Sequence, residues 1–210
     1  MPSHEGQRQA KRADARRNVR AILDAAAVCL SRDPDASVAE IARTAGVGRV
    51  TLYGHFASRA ELVDAVVARA IEEGDAALDQ VDLSGDARDA LVRLVEQSWL
   101  TIVQIGSLVT AAFDALSEER MRELHARPMQ RVEGLVERGR AEGVFRTDLS
   151  ATWLVGTLHR LMHGAAAEIE AGRLAPAEAA TTIAATALAA FTPPGRPVPE
   201  VGALATRRLS

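Results

Sequence analysis

An all-helical chain in two parts is the fold class the sequence predicts, and three observations predict it. Apolar residues return at spacings of three and four along nearly the whole chain, the repeat of one buried helix face. Runs alternating apolar and polar with β-branched residues are absent, and glycine and proline are scarce before residue 193. The periodic segments are bounded by Asp, Ser, Gly and Pro, the residues that start and stop helices. With 210 residues, 48% of them hydrophobic and many of those alanine, the chain can bury a sizeable core of small, close contacts. Aromatic residues make up only 3%.

Residues 1–17 are polar and charged and read as a flexible basic arm, carrying Arg8, Lys11, Arg12, Arg16 and Arg17. Nothing in them matches the apolar core of a signal peptide, and no run is long enough to span a membrane, so a cytoplasmic protein is expected. A first helix is predicted over 18–32, its buried stripe formed by Val19, Ile22, Leu23, Ala26 and Leu30, and ended by Asp33, Pro34 and Asp35. Cys29, the single cysteine, falls on the apolar side of that helix as a small buried hydrophobe and excludes an intramolecular disulfide. Ser37 is the natural N-cap of a second helix and forms an S-x-x-E capping box with Glu40. Val38, Ile41, Ala42 and Ala45 give that helix its apolar face. Gly46 stands where the chain must leave it, a place that favours a residue tolerant of positive φ. A short helix over about 48–55 follows, with Val47 and Leu52 resuming the apolar face. Phe56 and Ala57 turn the chain. Ser58 and Glu61 repeat the capping box and open a fourth helix, buried through Val63, Val66, Val67, Ala70 and Ile71, to about Glu73.

Composition shifts to small and acidic residues over 74–85, which places a domain boundary there and a second helical region over 86–192. The helix 86–105 is apolar on two sides, Leu91, Leu94, Val95 and Ile102 on one, Val92, Trp99 and Val103 on the other. Such a helix is central or lines a cavity. A helix over 107–116 is expected next, then one over 117–140 kinked or broken at Pro128, and a connector over 143–149 plugged by Phe145. Helices over 150–171 and 176–191 close the region, and 193–210 read as a disordered tail. The last two helices carry Gly156, Gly164, Ala165, Ala166, Ala167, Ala177, Ala180, Ala184, Ala187 and Phe191. Small faces of this kind suit either a symmetric four-helix interface or close contact within one chain.

The pattern from Val38 to Phe56 is a helix-turn-helix, whose second helix enters the major groove of DNA. Charge agrees with this. Residues 1–59 hold ten Lys or Arg against six Asp or Glu, whereas the whole chain is at −3. A basic end on an acidic body suits one face presented to phosphates. Gly48 and Arg49 begin the recognition helix. Arg49 reads guanine or holds a phosphate, and Val50 and Thr51 are small enough to meet a thymine methyl. Ser37 and Thr44 flank the second helix, where hydroxyls and free amides meet phosphate. Arms such as the one carrying Arg8 to Arg20 reach along the backbone or into a minor groove, or are merely solvated.

Residues 19–63 resemble the N-terminal domain of the TetR family of bacterial transcriptional regulators. The residues that carry the resemblance are Ala21 to Ala26, Val38 to Ala42, Ala45–Gly46–Val47, Leu52–Tyr53–Gly54–His55–Phe56 and Ser58–Arg59–Ala60–Glu61–Leu62. Gly48 departs from the serine the family often carries there, so the cap of the recognition helix is weaker. The resemblance implies phosphate contacts for Tyr53, His55 and Arg59. It also implies a C-terminal domain that dimerises through helices of about 150–171 and 176–191 and binds a small effector. Trp99, Val103, Phe113, Met121, Met129, Trp153 and Thr157 are the candidate pocket residues, with ordinary core packing as the plain alternative. A mostly apolar effector is expected, because His125, His159 and His163 are the ionisable groups placed nearby.

No catalytic constellation is present: Ser98 lacks a Gly-x-Ser-x-Gly setting and no glycine-rich loop marks a nucleotide. His159 and His163 have metal-binding spacing, but no zinc-protease Glu or Asp pattern accompanies them and packing or hydrogen bonding is the reading, with neither metal nor cofactor expected. The sequence therefore points to a regulator that is not an enzyme and binds a near-palindromic operator as a homodimer, most simply a repressor released by its effector. An effector-independent or activating DNA-binding protein and a helical enzyme stand as alternatives.

Overall fold

The computed structural model describes the backbone of residues 4–202 and, within that span, every side chain except those of residues 4–8, 10, 11, 104, 105, 107 and 109–114. The described residues form helices and no strand. In order they are α1 (His4–Arg32), α2 (Val38–Thr44), α3 (Arg49–His55), α4 (Arg59–Leu78), α5 (Ala87–Ala115), α6 (Glu118–Leu124), α7 (Ala126–Ala141), α8 (Ala151–Glu170), a single 3-10 turn (Pro176–Glu178) and α9 (Ala179–Phe191).

Two compact units divide the chain. The first comprises Met1–Ile71 and Ile105–Leu124, the second Glu72–Gln104 and His125–Ser210. The divisions therefore fall inside α4 and α5, not in the linker expected over 74–85. Composition changes where the chain turns between these helices, whereas the packing changes partway along each of them.

In the first unit Ile22, Ala26 and Leu30 of α1 meet Val38, Ile41 and Ala42 of α2, Leu52 of α3 and Leu62, Val63, Val66 and Val67 of α4. Leu108 of α5 and Met121 of α6 join this core. Helix α1 starts at His4, so the segment expected as a flexible arm is helical from that residue on. Its Gln, Arg, Lys, Ala and Glu are strong helix formers, and they extend a helix whose packed half has already met the cost of nucleation. Asp14 and Arg17 pair one turn apart on it.

In the second unit Leu91, Leu94, Val95 and Trp99 of α5 pack with Val132, Leu135 and Val136 of α7, Leu154 and Leu158 of α8, and Ile183, Leu188 and Phe191 of α9. Phe145 plugs this core edge-on to Phe191, with ring centroids 5.6 Å apart. Gly139 makes room for it: a Cβ there would lie 2.1 Å from the Phe145 ring. An ion network centred on buried Asp75 ties the end of α4 to α7. Arg131 donates to Asp75 at 2.5 Å and also pairs with Asp79, and Arg127 reaches Asp75 at 2.8 Å.

Three further expectations change. The predicted helices 86–105 and 107–116 are one helix, because Gly106 lowers helix propensity without ending the helix. The break in 117–140 falls at His125, not at Pro128. Pro128 instead sits in the first turn of α7, where a missing amide hydrogen leaves no helical bond unmade, so it frees no carbonyl for a ligand. Residues 193–199 are not loose: Pro193, Arg196, Pro197 and Pro199 line a groove with Arg88, Glu142 and Val144, and Val201 packs on the second core. The tail beyond residue 202 lies outside the described residues.

Candidate nucleic-acid interface

The turn between α2 and α3 is held by its caps. The Glu40 amide donates to Ser37 Oγ at 3.2 Å, which starts α2. At its end Gly46 takes φ +69°, the Val47 amide donates to the Ala42 carbonyl at 3.0 Å, and the Gly46 amide donates to that of Arg43 at 3.2 Å. These two bonds and the left-handed glycine make a Schellman motif, which satisfies the last carbonyls of α2 and redirects the chain into α3. Gly48 caps α3 with extended backbone and no side-chain bond, as its missing hydroxyl requires. Downstream, the Glu61 amide donates to Ser58 Oγ at 3.1 Å while the Glu61 carboxylate accepts from the Ala57 amide at 2.7 Å. The box thus closes on Ala57 and not on Ser58 itself.

Helix α3 buries one side chain within its span, Leu52. Gly48, Arg49, Val50, Thr51 and Tyr53 face solvent, and Val50 is 88% exposed. The outer face of this seven-residue helix is thus free of contacts to the core. His55 is half-buried in the last turn. Ser37 and Thr44 are exposed at the two ends of α2, but both hydroxyls have local duties. Ser37 accepts the capping bond, and Thr44 Oγ1 lies 3.5 Å from the Cys29 thiol. Arg59 is half-buried and donates to the Pro34 carbonyl, anchoring the start of α4 to the loop after α1. The candidate phosphate ligand is therefore also a structural tie.

Arg12, Arg16, Arg17 and Arg20 are exposed on α1, while the side chains of Arg8 and Lys11 lie outside the described residues. Arg43, exposed in the last turn of α2 next to the glycine turn, adds a cation that the motif alone did not single out. Its signal in the sequence was its place four residues after Ala39, on the side of α2 opposite the buried Val38, Ile41 and Ala42.

The candidate pocket residues do not come together. Trp99 is buried in the second core and Met129 packs against it, but Met121 belongs to the core of the first unit. Val103 and Trp153 are 60% and 58% exposed, Thr157 is half-buried with its hydroxyl donating to the Trp153 carbonyl, and the Phe113 side chain lies outside the described residues. Apolar type and helix assignment predicted convergence here, but neither fixes the rotation of a helix about its axis.

Three histidines do converge. His159 and His163 of α8 are 4.3 Å apart by ring centroid, and His125, before α7, lies 5.3 and 6.0 Å from them. Burial foremost, with the neighbouring His163, His125 and Arg160, lowers the His159 pKa to about 4. Burial and His125 also lower that of His163. The rings meet edge to face, and among the described residues no group of three or more such side chains is arranged to hold a metal ion. Nor is any helix among the described residues long and apolar enough to cross a membrane.

Comparison with known proteins agrees with this geometry. Residues 22–66 match the family model of bacterial regulatory proteins of the tetR family. The chain is 36% identical over 86 residues to the HTH-type transcriptional repressor LfrR of Mycolicibacterium smegmatis, a match covering 41% of this chain and 46% of that protein. The alignment thus spans about half the length of that relative. Among solved structures, the TetR-like regulator LfrR from Mycobacterium smegmatis in complex with proflavine superposes with a TM-score of 0.58 at 23% identity, over 81% of this chain and 95% of that one. A transcriptional regulator from Saccharomonospora viridis in complex with choline gives a TM-score of 0.67 at 22% identity, over 79% and 92%.

Proposed function

The chain belongs to the TetR family of bacterial regulatory proteins through its N-terminal domain, and on that premise we propose that it is a sequence-specific transcriptional repressor released by a small molecule. The observation that carries the reading is α3, which spends a single buried side chain, Leu52, on the fold and turns Arg49, Val50, Thr51 and Tyr53 outward. Inserted into a major groove, the N-terminal residues of such a helix meet base edges: Arg49 a guanine, Val50 and Thr51 a thymine methyl. Ser37, Thr44, Gly48, Tyr53, His55, Arg43 and Arg59 then meet phosphates, and the cations of α1 add to that attraction. Two copies, joined through α8 and α9, present two α3 helices to an inverted repeat.

The region from α5 to α9 takes the effector and forms the dimer. Ligand-bound relatives support an effector, proflavine for one and choline for another, without identifying the one this chain takes. Of the candidate residues in the second unit, Trp99, Met129 and Thr157 are buried or half-buried and are the ones through which a mostly apolar molecule is sensed, whereas Val103 and Trp153 are exposed. A cytoplasmic regulator that is not an enzyme is part of this reading.

The test is a titration of a duplex selected from random sequence against a scrambled one. Arg49→Ala should weaken the selected duplex by about 1–3 kcal/mol and leave the scrambled one nearly unchanged, whereas Tyr53→Ala should weaken both alike. Equal affinity of the unmodified protein for both duplexes would refute the proposal.

A further inference from the structure

His159 and His163 lie one turn apart on α8, with ring centroids 4.3 Å apart. His125, at the joint between α6 and α7, brings a third ring to 5.3 and 6.0 Å from them. All three are half-buried. Among the described residues neither His159 nor His163 makes a hydrogen bond, and their contacts are the edges and faces of other imidazoles. A neutral imidazole keeps one N–H donor and one bare nitrogen, and groups withdrawn from water are ordinarily paired. Leucine or phenylalanine would fill this space without that cost.

The surrounding charges select the sign of a guest. The groups that act on His159 are His163 and Arg160 of its own helix and His125 from the α6–α7 joint, and His125 acts on His163. None of them is acidic. Burial comes first in keeping both rings neutral. A carboxylate placed here meets N–H donors, and its charge draws a proton from solvent onto a ring that burial had kept neutral. The resulting bond is charge-assisted and strong. A cation meets the opposite: Arg160 repels it, and among the described residues no three such side chains are arranged to hold a metal ion. Beside the cluster the surroundings are apolar, since Leu158 and Met162, next to His159 and His163 in the chain, are buried in the second core.

We infer that His125, His159 and His163 together hold the carboxylate of a mostly apolar acid, and that this acid is the effector. The inference rests on the effector-released repressor proposed above and adds the chemical class of the ligand and the side chains that hold its charge. His125 also gives the ligand a handle on the chain. Helix α6 ends at Leu124 in the first unit, and the second unit resumes at His125. A ligand bonded to His125 thus acts on the residue where the chain passes from one unit to the other.

Long-range proton–nitrogen spectra of the imidazoles report the protonation of each of the five histidines, assigned with single His→Gln variants. Hexanoate and benzoate are the probes, with hexanol and benzyl alcohol as their neutral counterparts. Each acid should raise the titration midpoints of His159 and His163 by about one unit or more and leave that of His55 in place. Because a proton enters with the acid, its affinity should rise by up to about tenfold between about pH 6.5 and about pH 5.5. Both results are read on the unmodified protein and do not depend on the folding of a variant. Replacing both His159 and His163 by Gln should remove the pH dependence and weaken the acids about tenfold or more. The acids should also release the selected duplex, and the alcohols should not. Alcohols that bind as tightly as the acids, acids that leave both midpoints unmoved, or zinc that outcompetes the acids at these rings each overturn the inference. Acids that shift the rings without releasing the duplex overturn their role as effector. A protein that does not tell the selected duplex from the scrambled one overturns the repressor itself.

Discussion

Leu52 and Arg49 lie three positions apart on α3 and have opposite tasks. Leu52 is 1% exposed and fastens the helix to the first core. Leu52→Ala should therefore cost about 2–5 kcal/mol of stability by cavity formation, read as a fall in the melting temperature, whereas Arg49→Ala should leave that temperature unchanged. Gly54 poses a different question. A Cβ there meets nothing within 4 Å, so the fold does not require glycine, yet glycine weakens a helix. Gly54→Ala should stabilise the protein by about 0.5–1 kcal/mol. A loss of DNA affinity in that more stable variant would show that glycine is kept for close approach of the backbone to the duplex. His159 offers a prediction in pH. Its folded pKa is lowered from 6.5 to about 4, chiefly by burial, so the folded state favours the neutral ring. Between those two values the unfolded chain takes up the proton first. Its contribution to stability is therefore complete above about pH 6.5 and is lost as the pH falls toward 4. His159→Gln should flatten the decline of melting temperature over that window, and an unchanged slope would assign the decline to other groups.

Among the elements, α2 and α3 were legible because local chemistry specifies them: a serine cap, a glycine at φ +69° and an apolar face of four residues. Helix α1 was legible only over its packed half, since periodicity marks burial and the earlier residues whose side chains are described, Gln9 and Arg12 to Arg17, are helical but exposed or half-buried. The break between α6 and α7 was misplaced because proline draws attention wherever it stands, although in a first turn it is harmless. Ala184 shows the same limit on the proposed dimer face. It is fully buried against its own chain's core, so Ala184→Arg would unfold the protomer and report nothing about association. Gly164 and Ala167 of α8 and Ala185 and Ala189 of α9 are exposed small residues of that helix pair. Gly139, by contrast, explains Phe145. Gly139→Ala forces its methyl into the ring and should destabilise the second core by about 1–3 kcal/mol, measurable by urea unfolding.

For the whole molecule, the division of labour was visible in charge and composition, but the division of packing was not. Two long helices, α4 and α5, each belong partly to one unit and partly to the other. No local signal marks the residue where a helix leaves one core for the next. The candidate pocket residues were scattered for the same reason, because the sequence does not show that Met121 and Trp99 enter different cores. If an effector bound in the second unit releases DNA from the first, the coupling must be reciprocal: operator DNA lowers effector affinity by the same factor. Calorimetry with and without operator, once an effector is found, should give equal factors. The central claim is that two copies of α3 read DNA by sequence, and selection from random duplexes tests it most directly. The account predicts enrichment of an inverted repeat whose half-sites lie about one helical turn, or a small multiple of it, apart. A selection that enriches no motif would contradict it.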